Sequence, residues 1–410
     1  MPTCTMATSL QRTDAKNWLL PDGVADVLFK DAQKQESLRD ALLFVLTANG
    51  YRLVAPPLIE YTETLLGGAD EDLKRQTFRV VDQLTGRMMG VRADITPQIT
   101  RIDAQHGKGV SRYCYIGQVV KTLPNGLFGL RTPLQLGAEI FGVSQVNAEM
   151  ALIDLLVALT DEIGMSRDNL HIDVGHVAIF DALCVIHHTG ESVIDTLMSL
   201  YIKKDLPELE TLCLSIEGGA DFLVLAKHTL AQDATPDANN LLSKLSKKAQ
   251  DSTLIAEAAA EIATLSSHIK KLGMSVSVDI TELSGYHYHT GLVFNVYLNR
   301  STITQTQALV RGGRFCAQAG RQATGFSMDI NRLLEYVELQ EDTVIVVDYD
   351  DLCSANDAQQ DDLDKQIATL QDEGCIVIKP LSFDDRPQAI DGVLHLDDGV
   401  WAVQLVGDDA

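Results

Sequence analysis

RYCYIGQVVKTLPNGLFGLRTPLQLGAEIFG, from Arg112 to Gly142, decides the fold. It reads as two strands joined by a loop rich in glycine and proline. The first strand alternates through Tyr113, Tyr115 and Gly117. The second carries Gln135 and Glu139 on one face, because strand residues four apart point the same way. Leu134, Leu136 and Ile140 surround that pair, so an amide and a carboxylate sit on an otherwise buried sheet. Buried polar groups need partners. Two arrangements supply them: bonds to neighbouring backbone, or a small-molecule pocket built on the sheet, with the carboxylate facing an ammonium group.

The rest of the chain bounds what such a pocket serves. At 410 residues and 44.8 kDa, two or three domains and a large core are expected. The formal net charge is −24, with 33 basic against 57 acidic residues. Nucleic-acid affinity comes largely from lysine and arginine on phosphates, so no tRNA or other RNA binding is expected. The seven cysteines (Cys4, Cys114, Cys184, Cys213, Cys316, Cys353, Cys375) are scattered, without a CxxC pair. That pattern speaks against a disulfide framework or a zinc site and for a reduced, cytoplasmic protein. No apolar run approaches a signal peptide or a membrane span.

In chain order, residues 1–17 are polar, and Leu20-Pro21-Asp22-Gly23 is a turn. A helix with Leu38, Leu42, Val45 and Leu46 at helical spacing runs to Asn49-Gly50. Short strands are expected near 77–81 and 87–92. Then comes Arg92-Ala93-Asp94-Ile95-Thr96-Pro97-Gln98, where Thr-Pro signals a helix start that Asp94 or Thr96 can cap. A helix over 147–163 and a strand over 170–174 follow. The pattern is helical from about 177 to 272, with a break at 232–240, and strands resume at Met274. Tyr286 and Tyr288 alternate with His287 and His289, which places the two histidines on one strand face. Such a pair suits a metal, but no third ligand is suggested, so neither metal nor cofactor is expected. Residues 341–410 read as a small acidic domain of strand (344–347), helix (363–372), strand (375–378) and two later strands. Lys365, Lys379 and Arg386 are its only lysines and arginines.

The opening stretch resembles motif 2 of class II aminoacyl-tRNA synthetases, most closely that of the histidyl-tRNA synthetases. Their run YIGPxFRxERPQxGRxRxFxQxGxE lies over Tyr115 to Glu139 without a gap. Tyr51 to Glu60 resembles motif 1, a dimer-interface segment (GYxxxxxPxxE). Arg92 to Thr96 resembles LRPExT, Glu282 to Phe294 resembles LVRGLDYYxxTVFE, Arg311 to Phe315 resembles AGGRYD, and Gly325 to Arg332 resembles motif 3, GFxxGxER. The departures from these patterns cluster. The arginine that grips the ATP α-phosphate falls on Lys121 and the following glutamate on Leu123. The catalytic arginine of the histidine-specific motif falls on Ser284, and motif 3 carries Asp329 and Asn331 for glycine and glutamate. Lysine is a point charge where arginine is a planar fork, and an aspartate facing a triphosphate repels it.

The resemblance, over roughly residues 20–340, implies an α+β fold: a class II synthetase-like antiparallel sheet flanked by helices. A helical insertion at about 177–272 interrupts a core of 18–340, and a small α/β domain of 341–410 takes the place of the anticodon domain. It also implies an amino-acid pocket. Asp94, Thr96 and Glu139 would hold an ammonium group, Gln135 would help to orient the ligand, and Tyr288 and His289 would flank an imidazole. Arg314 is expected as a buried structural arginine. A synthetase-like core with altered nucleotide motifs and no anticodon domain is similar to the regulatory subunits of short-form ATP phosphoribosyltransferases. The implied role is non-catalytic: to join a separate catalytic subunit, activate it, and carry feedback inhibition by histidine. The assembly implied is a homodimer within a hetero-octamer. A divergent active synthetase and a purely structural scaffold are the alternatives.

Overall fold

The computed structural model describes residues 19–68, 71–124, 129–230, 238–283, 286, 288–298, 308–317, 320–338, 343–385, 387 and 389–406. They fall into two compact units, one ending at Val337 and one starting at Glu338.

The first unit opens with α1 (Phe29–Ala48), which buries Leu38, Leu42, Val45 and Leu46 along one stripe. It stops where Gly50 takes a left-handed φ of 81°, a conformation that glycine alone adopts without strain. Next come β1 (Arg52–Leu53), β2 (Ile59–Tyr61), α2 (Thr62–Leu65), α3 (Glu71–Gln76), β3 (Phe78–Val81) and β4 (Met88–Val91). Strands β2, β4 and β3 form a small antiparallel sheet. Helix α4 (Thr96–His106) leads into β5 (Ser111–Gln118) and β6 (Leu134–Phe141), and α5 (Asn147–Glu162) into β7 (Leu170–His176).

Among the described residues, seven helices follow: α6 (Val177–Ile186), α7 (Glu191–Lys203), α8 (Leu206–Cys213), α9 (Gly219–Leu230), α10 (Ala238–Lys244), α11 (Lys247–Gln250) and α12 (Thr253–Lys271). A buried Asp221 ties this module together, accepting from His187 (2.8 Å) and from both the backbone and hydroxyl of Ser246 (2.7 and 2.6 Å). The unit ends with β8 (Ser275–Val278), β9 (His289–Leu298), β10 (Val310–Cys316) and β11 (Gln322–Asp329), then a 3₁₀ turn over Ile330–Tyr336.

The eight-stranded sheet runs β1-β5-β6-β11-β10-β9-β7-β8. Its six central strands are antiparallel, with parallel β1 and β8 at the edges. Alternation divides its side chains between two faces. Leu136, Ala138 and Ile140 of β6, Phe326 and Met328 of β11, and Phe294 and Val296 of β9 join a large core with the buried stripes of α1, α5, α6 and α12. Each fully buried leucine there contributes about 1.5–3 kcal/mol. The opposite face carries a smaller cluster, including Ile95, Ile99, Tyr113, Tyr115, Phe141 and Phe315. Beside it lie glycines and polar residues in cross-strand register. One row is Glu139–Gly325–Gly313–Val293; another is Gly137–Ser327–Arg311–Asn295. That face is the floor of the candidate site.

The second unit is a four-stranded sheet in the order β13 (Ile376–Ile378), β12 (Val344–Val347), β14 (Gly392–Asp397), β15 (Val400–Leu405). Helices α13 (Tyr349–Ser354) and α14 (Asp357–Asp372) accompany it. Helix α14 starts six residues before the sequence-based expectation. Asn356 and Gln359 form a reciprocal capping box, which holds the polar first turn in helix where apolar periodicity is silent. Trp401 donates to the Gln359 carbonyl at 2.8 Å and fills a core with Ile345, Val347, Leu363 and Leu394.

Candidate functional site

The start of α4 meets the open face of the sheet at Glu139. Asp94 accepts from the Thr96 N–H (2.8 Å), a local turn of the kind aspartate makes before a helix. The N-cap position itself is Ile95, with no side-chain cap. Thr96 is therefore free of capping duty, and its hydroxyl donates to Glu139 Oε1 at 3.1 Å. Tyr115 lies 3.1 Å from the same threonine hydroxyl and 3.5 Å from Glu139 Oε1. Its ring reaches there by crossing Gly137, where a β-carbon would meet the phenol at 2.2 Å. Gln135 Oε1 accepts from the Ile95 N–H at 3.0 Å, which fixes the amide beside the helix start. Backbone satisfaction is thus the role of the Gln135 carbonyl, whereas the Glu139 carboxylate bonds to no backbone group among the described residues. Glu139 is 1% exposed, its Oε1 is shared by two hydroxyls, and its Oε2 is buried with no hydrogen-bond partner among the described residues.

An anion so placed is costly. Burial holds the Glu139 pKa well above the ordinary carboxylate range; Thr96 and Tyr115 pull it down, while the charge of Asp94 pushes it further up. Tyr115 is raised as well, first by burial and then by Glu139 and Asp94. Glu139 Oε2 hangs over Gly325, where even a β-carbon would stand only 1.5 Å away.

Gly325 pairs across the ladder with Gly313, and over Gly313 lies the ring of His289, whose Nδ1 would be 2.9 Å from a β-carbon there. His289 comes back over Gly313 because β9 carries two more residues than β10 between the pairs Gly313–Val293 and Phe315–His289. Gly291 in that bulge lets the Arg314 side chain pass, at 2.9 Å from a would-be β-carbon. Arg314 runs under the sheet to Glu149 (2.8 Å) and Glu261 (3.0 Å), as a buried structural arginine should. His289 is largely buried, its Nδ1 entirely so, and burial lowers its pKa to about 4, so the ring is neutral at pH 7. Tyr288 packs edge-on to His289 (5.3 Å) and stacks on Phe315 at 4.6 Å.

Asp94, Thr96, Gln135 and Glu139 are therefore gathered at one corner, with Tyr288 and His289 across two bare glycines. His287 and Ser284 lie outside the described residues. Strand β9 begins at His289, and among the described residues no cluster of three metal-ligating side chains occurs. Sequence reasoning missed Tyr115 and the glycine floor. The signal for Tyr115 was its alternation with Tyr113 opposite a carboxylate; the glycine pairing has no local signal.

The neighbouring end of the cleft is polar in a different way. Asp329 is the ladder partner of Gln135 and accepts from the Asn331 N–H at 3.1 Å. Burial raises its pKa, while Arg332 and Lys121 both act to lower it, so one aspartate sits in the field of both cations. Arg332 donates to the Ala308 carbonyl at 2.6 Å, and the side chain of Gln35 to Asn331. Leu123 is exposed.

A central antiparallel sheet with helices on one face and a row of glycines and polar side chains on the other is the core of a class II aminoacyl-tRNA synthetase, and the family model for histidyl-tRNA synthetase matches residues 23–333. A Psychrobacter arcticus protein named ATP phosphoribosyltransferase regulatory subunit is 49% identical over 400 residues, covering 95% of this chain and 100% of that protein. An Acinetobacter baumannii (strain AYE) protein of the same name is 36% identical over 410 residues, covering 96% and 100%. This chain belongs to the ATP phosphoribosyltransferase regulatory subunits, within the histidyl-tRNA synthetase family. Among solved structures, a Bacillus halodurans ATP phosphoribosyltransferase regulatory subunit/histidyl-tRNA synthetase superposes with a TM-score of 0.72 at 22% identity, covering 89% of this chain and 93% of that one. An ATP phosphoribosyl transferase (HisG:HisZ) complex from Thermotoga maritima gives 0.55 at 16% identity, covering 73% and 97%. At those identities the likeness is one of fold.

Proposed function

We propose that this chain is a non-catalytic sensor. It binds the catalytic subunit of a short-form ATP phosphoribosyltransferase, activates it, and carries feedback inhibition by histidine at the first step of histidine biosynthesis. The observation that carries the reading is the buried, unpartnered Glu139 Oε2 over Gly325. A carboxylate oxygen kept from water and from every described donor is placed to receive one from a ligand. In this reading Asp94, Thr96 and Glu139 hold the ammonium group of histidine and Gln135 orients it. Tyr288 and His289 flank the imidazole, with the neutral His289 ring adding no charge to repel it.

The same cleft does not suit nucleotide chemistry. Lys121 stands where the family pattern has a forked arginine on the α-phosphate, Ser284 where it has another arginine, and Asp329 puts a carboxyl group in the field of Lys121 and Arg332. A net charge of −24 leaves no general basis for tRNA binding. The assembly is a homodimer within a hetero-octamer, and inhibition requires histidine to favour one of its states by about 1–3 kcal/mol.

Mixing the purified chain with a short-form catalytic subunit tests the proposal. Phosphoribosyl-ATP formation should rise on mixing and fall when histidine is added. A histidine-dependent ATP–pyrophosphate exchange by the chain alone would establish a synthetase instead; complex formation without histidine binding would leave only a scaffold.

A further inference from the structure

A histidine whose ammonium group is held at Glu139 brings a carboxylate with it, and that anion needs a cation on the same face of the sheet. The described cations of the cleft can be taken in turn. Arg92 is buried and holds the carbonyls of Pro56 and Gln118 at 2.7 and 2.9 Å. Arg131 bonds the Lys121 carbonyl at 3.0 Å. Arg314 lies under the sheet on Glu149 and Glu261. Lys121 and Arg332 act on Asp329, whose ladder partner Gln135 is four residues along β6 from Glu139, and Arg52 lies over the Tyr113 ring at 4.9 Å.

Arg311 remains. It sits on β10 with an exposed side chain, between its ladder partners Ser327 of β11 and Asn295 of β9. It makes no ion pair within 4 Å among the described residues. The nearby Asp173 and Asp279 have other donors: His171 at 3.1 Å for the first, Lys204 at 3.1 Å for the second. Its charge is felt along the same sheet face, pulling down the Tyr297 phenol of β9 that burial and Asp173 raise to about 12.

The spacing is suitable. Arg311 lies two residues along β10 from Gly313, the partner of Gly325, above which Glu139 Oε2 hangs. With strands about 4.8 Å apart and residues about 3.4 Å along, its α-carbon is about 8 Å from that of Gly325. An arginine side chain spans most of that gap, and an amino acid's two charged groups fill the rest. The histidyl-synthetase pattern has alanine here and an arginine at the position of Ser284.

We infer that Arg311 receives the carboxylate of the bound amino acid and thereby selects free histidine over analogues that lack it. This rests on the histidine-pocket reading above. Calorimetry on the full-length chain, alone and with the short-form catalytic subunit, would compare L-histidine with histidinol, whose carboxylate is an alcohol. In Arg311→Gln, histidine affinity should fall at least about tenfold, as for loss of a charge-assisted bidentate contact. Histidinol should bind the unaltered chain more weakly than histidine and bind Arg311→Gln no worse. Arg311→Lys, with its charge kept but its fork lost, should show a smaller loss, and it stands in should the glutamine variant not fold. An unchanged preference for histidine over histidinol in both variants overturns the inference and leaves the pocket intact. No binding of either ligand to the unaltered chain overturns the pocket and the inference together.

Discussion

The free carboxylate oxygen of Glu139 lies over Gly325 so closely that a β-carbon on that glycine would sit 1.5 Å from it. A strand glycine is ordinarily a weakness, lacking a side chain to pack. Here its bareness is what admits a carboxylate into the sheet's surface layer, where Thr96 and Tyr115 are its hydroxyl donors.

Gly325→Ala should consequently destabilise the unliganded protein by about 1–3 kcal/mol, the usual range for overpacking, and weaken histidine binding. Adding Glu139→Ala to it should recover most of the stability but none of the binding. Thermal unfolding of the single and double variants checks this, and additive losses would mean that the two side chains do not compete for space.

Glu139 sets a pH dependence whose sign is fixed. Its folded pKa is raised above the unfolded value near 4.5, so its contribution is most favourable below pH 4.5. That contribution is lost as pH rises toward the folded pKa. Relative to Glu139→Gln, the unliganded protein should lose stability as pH rises from 4.5 to 8. Melting curves for the two proteins that stay parallel across that range would contradict a carboxyl forced to ionise in a buried site.

Under the sheet, Arg314 neutralises Glu149, which is fully buried and also accepts from Thr324 at 3.2 Å. Arg314→Met strands that anion and should cost about 3–5 kcal/mol, whereas Arg314→Met with Glu149→Leu should cost much less. Urea unfolding of both variants measures the difference. Because Arg314 passes Gly291 in the bulge that carries His289, the single variant should also shift the His289 ring resonances.

Asp329 is the ladder partner of Gln135 and lies in the field of Lys121 and Arg332. Asp329→Gly, the residue of the family pattern, should raise ATP affinity by relieving repulsion and releasing Lys121 and Arg332. It should not produce adenylate. Titration with a fluorescent ATP analogue reads the first outcome and pyrophosphate exchange the second; unchanged nucleotide affinity would place the block elsewhere.

The sequence by itself determined a good deal. The Gln135–Glu139 spacing between apolar neighbours announced a polar pair on a buried strand, Thr96-Pro97 announced the helix that meets it, and the leucine stripe of α1 announced the core-facing side. These are local patterns with periods of two and 3.6, and they survive into the tertiary structure because the elements themselves are local. The tertiary structure alone decided that Gly325 stands beside Glu139, that Gly313 stands beside Gly325, that Tyr115 crosses Gly137, and that Arg311 shares the sheet face of Gly313 on another strand. Those relations join residues up to about two hundred positions apart, and they are fixed by ladder register. A shift of one residue in any of the pairings would turn each of these side chains to the opposite face. No local stretch of sequence carries that register; it comes from closing the whole sheet over its core.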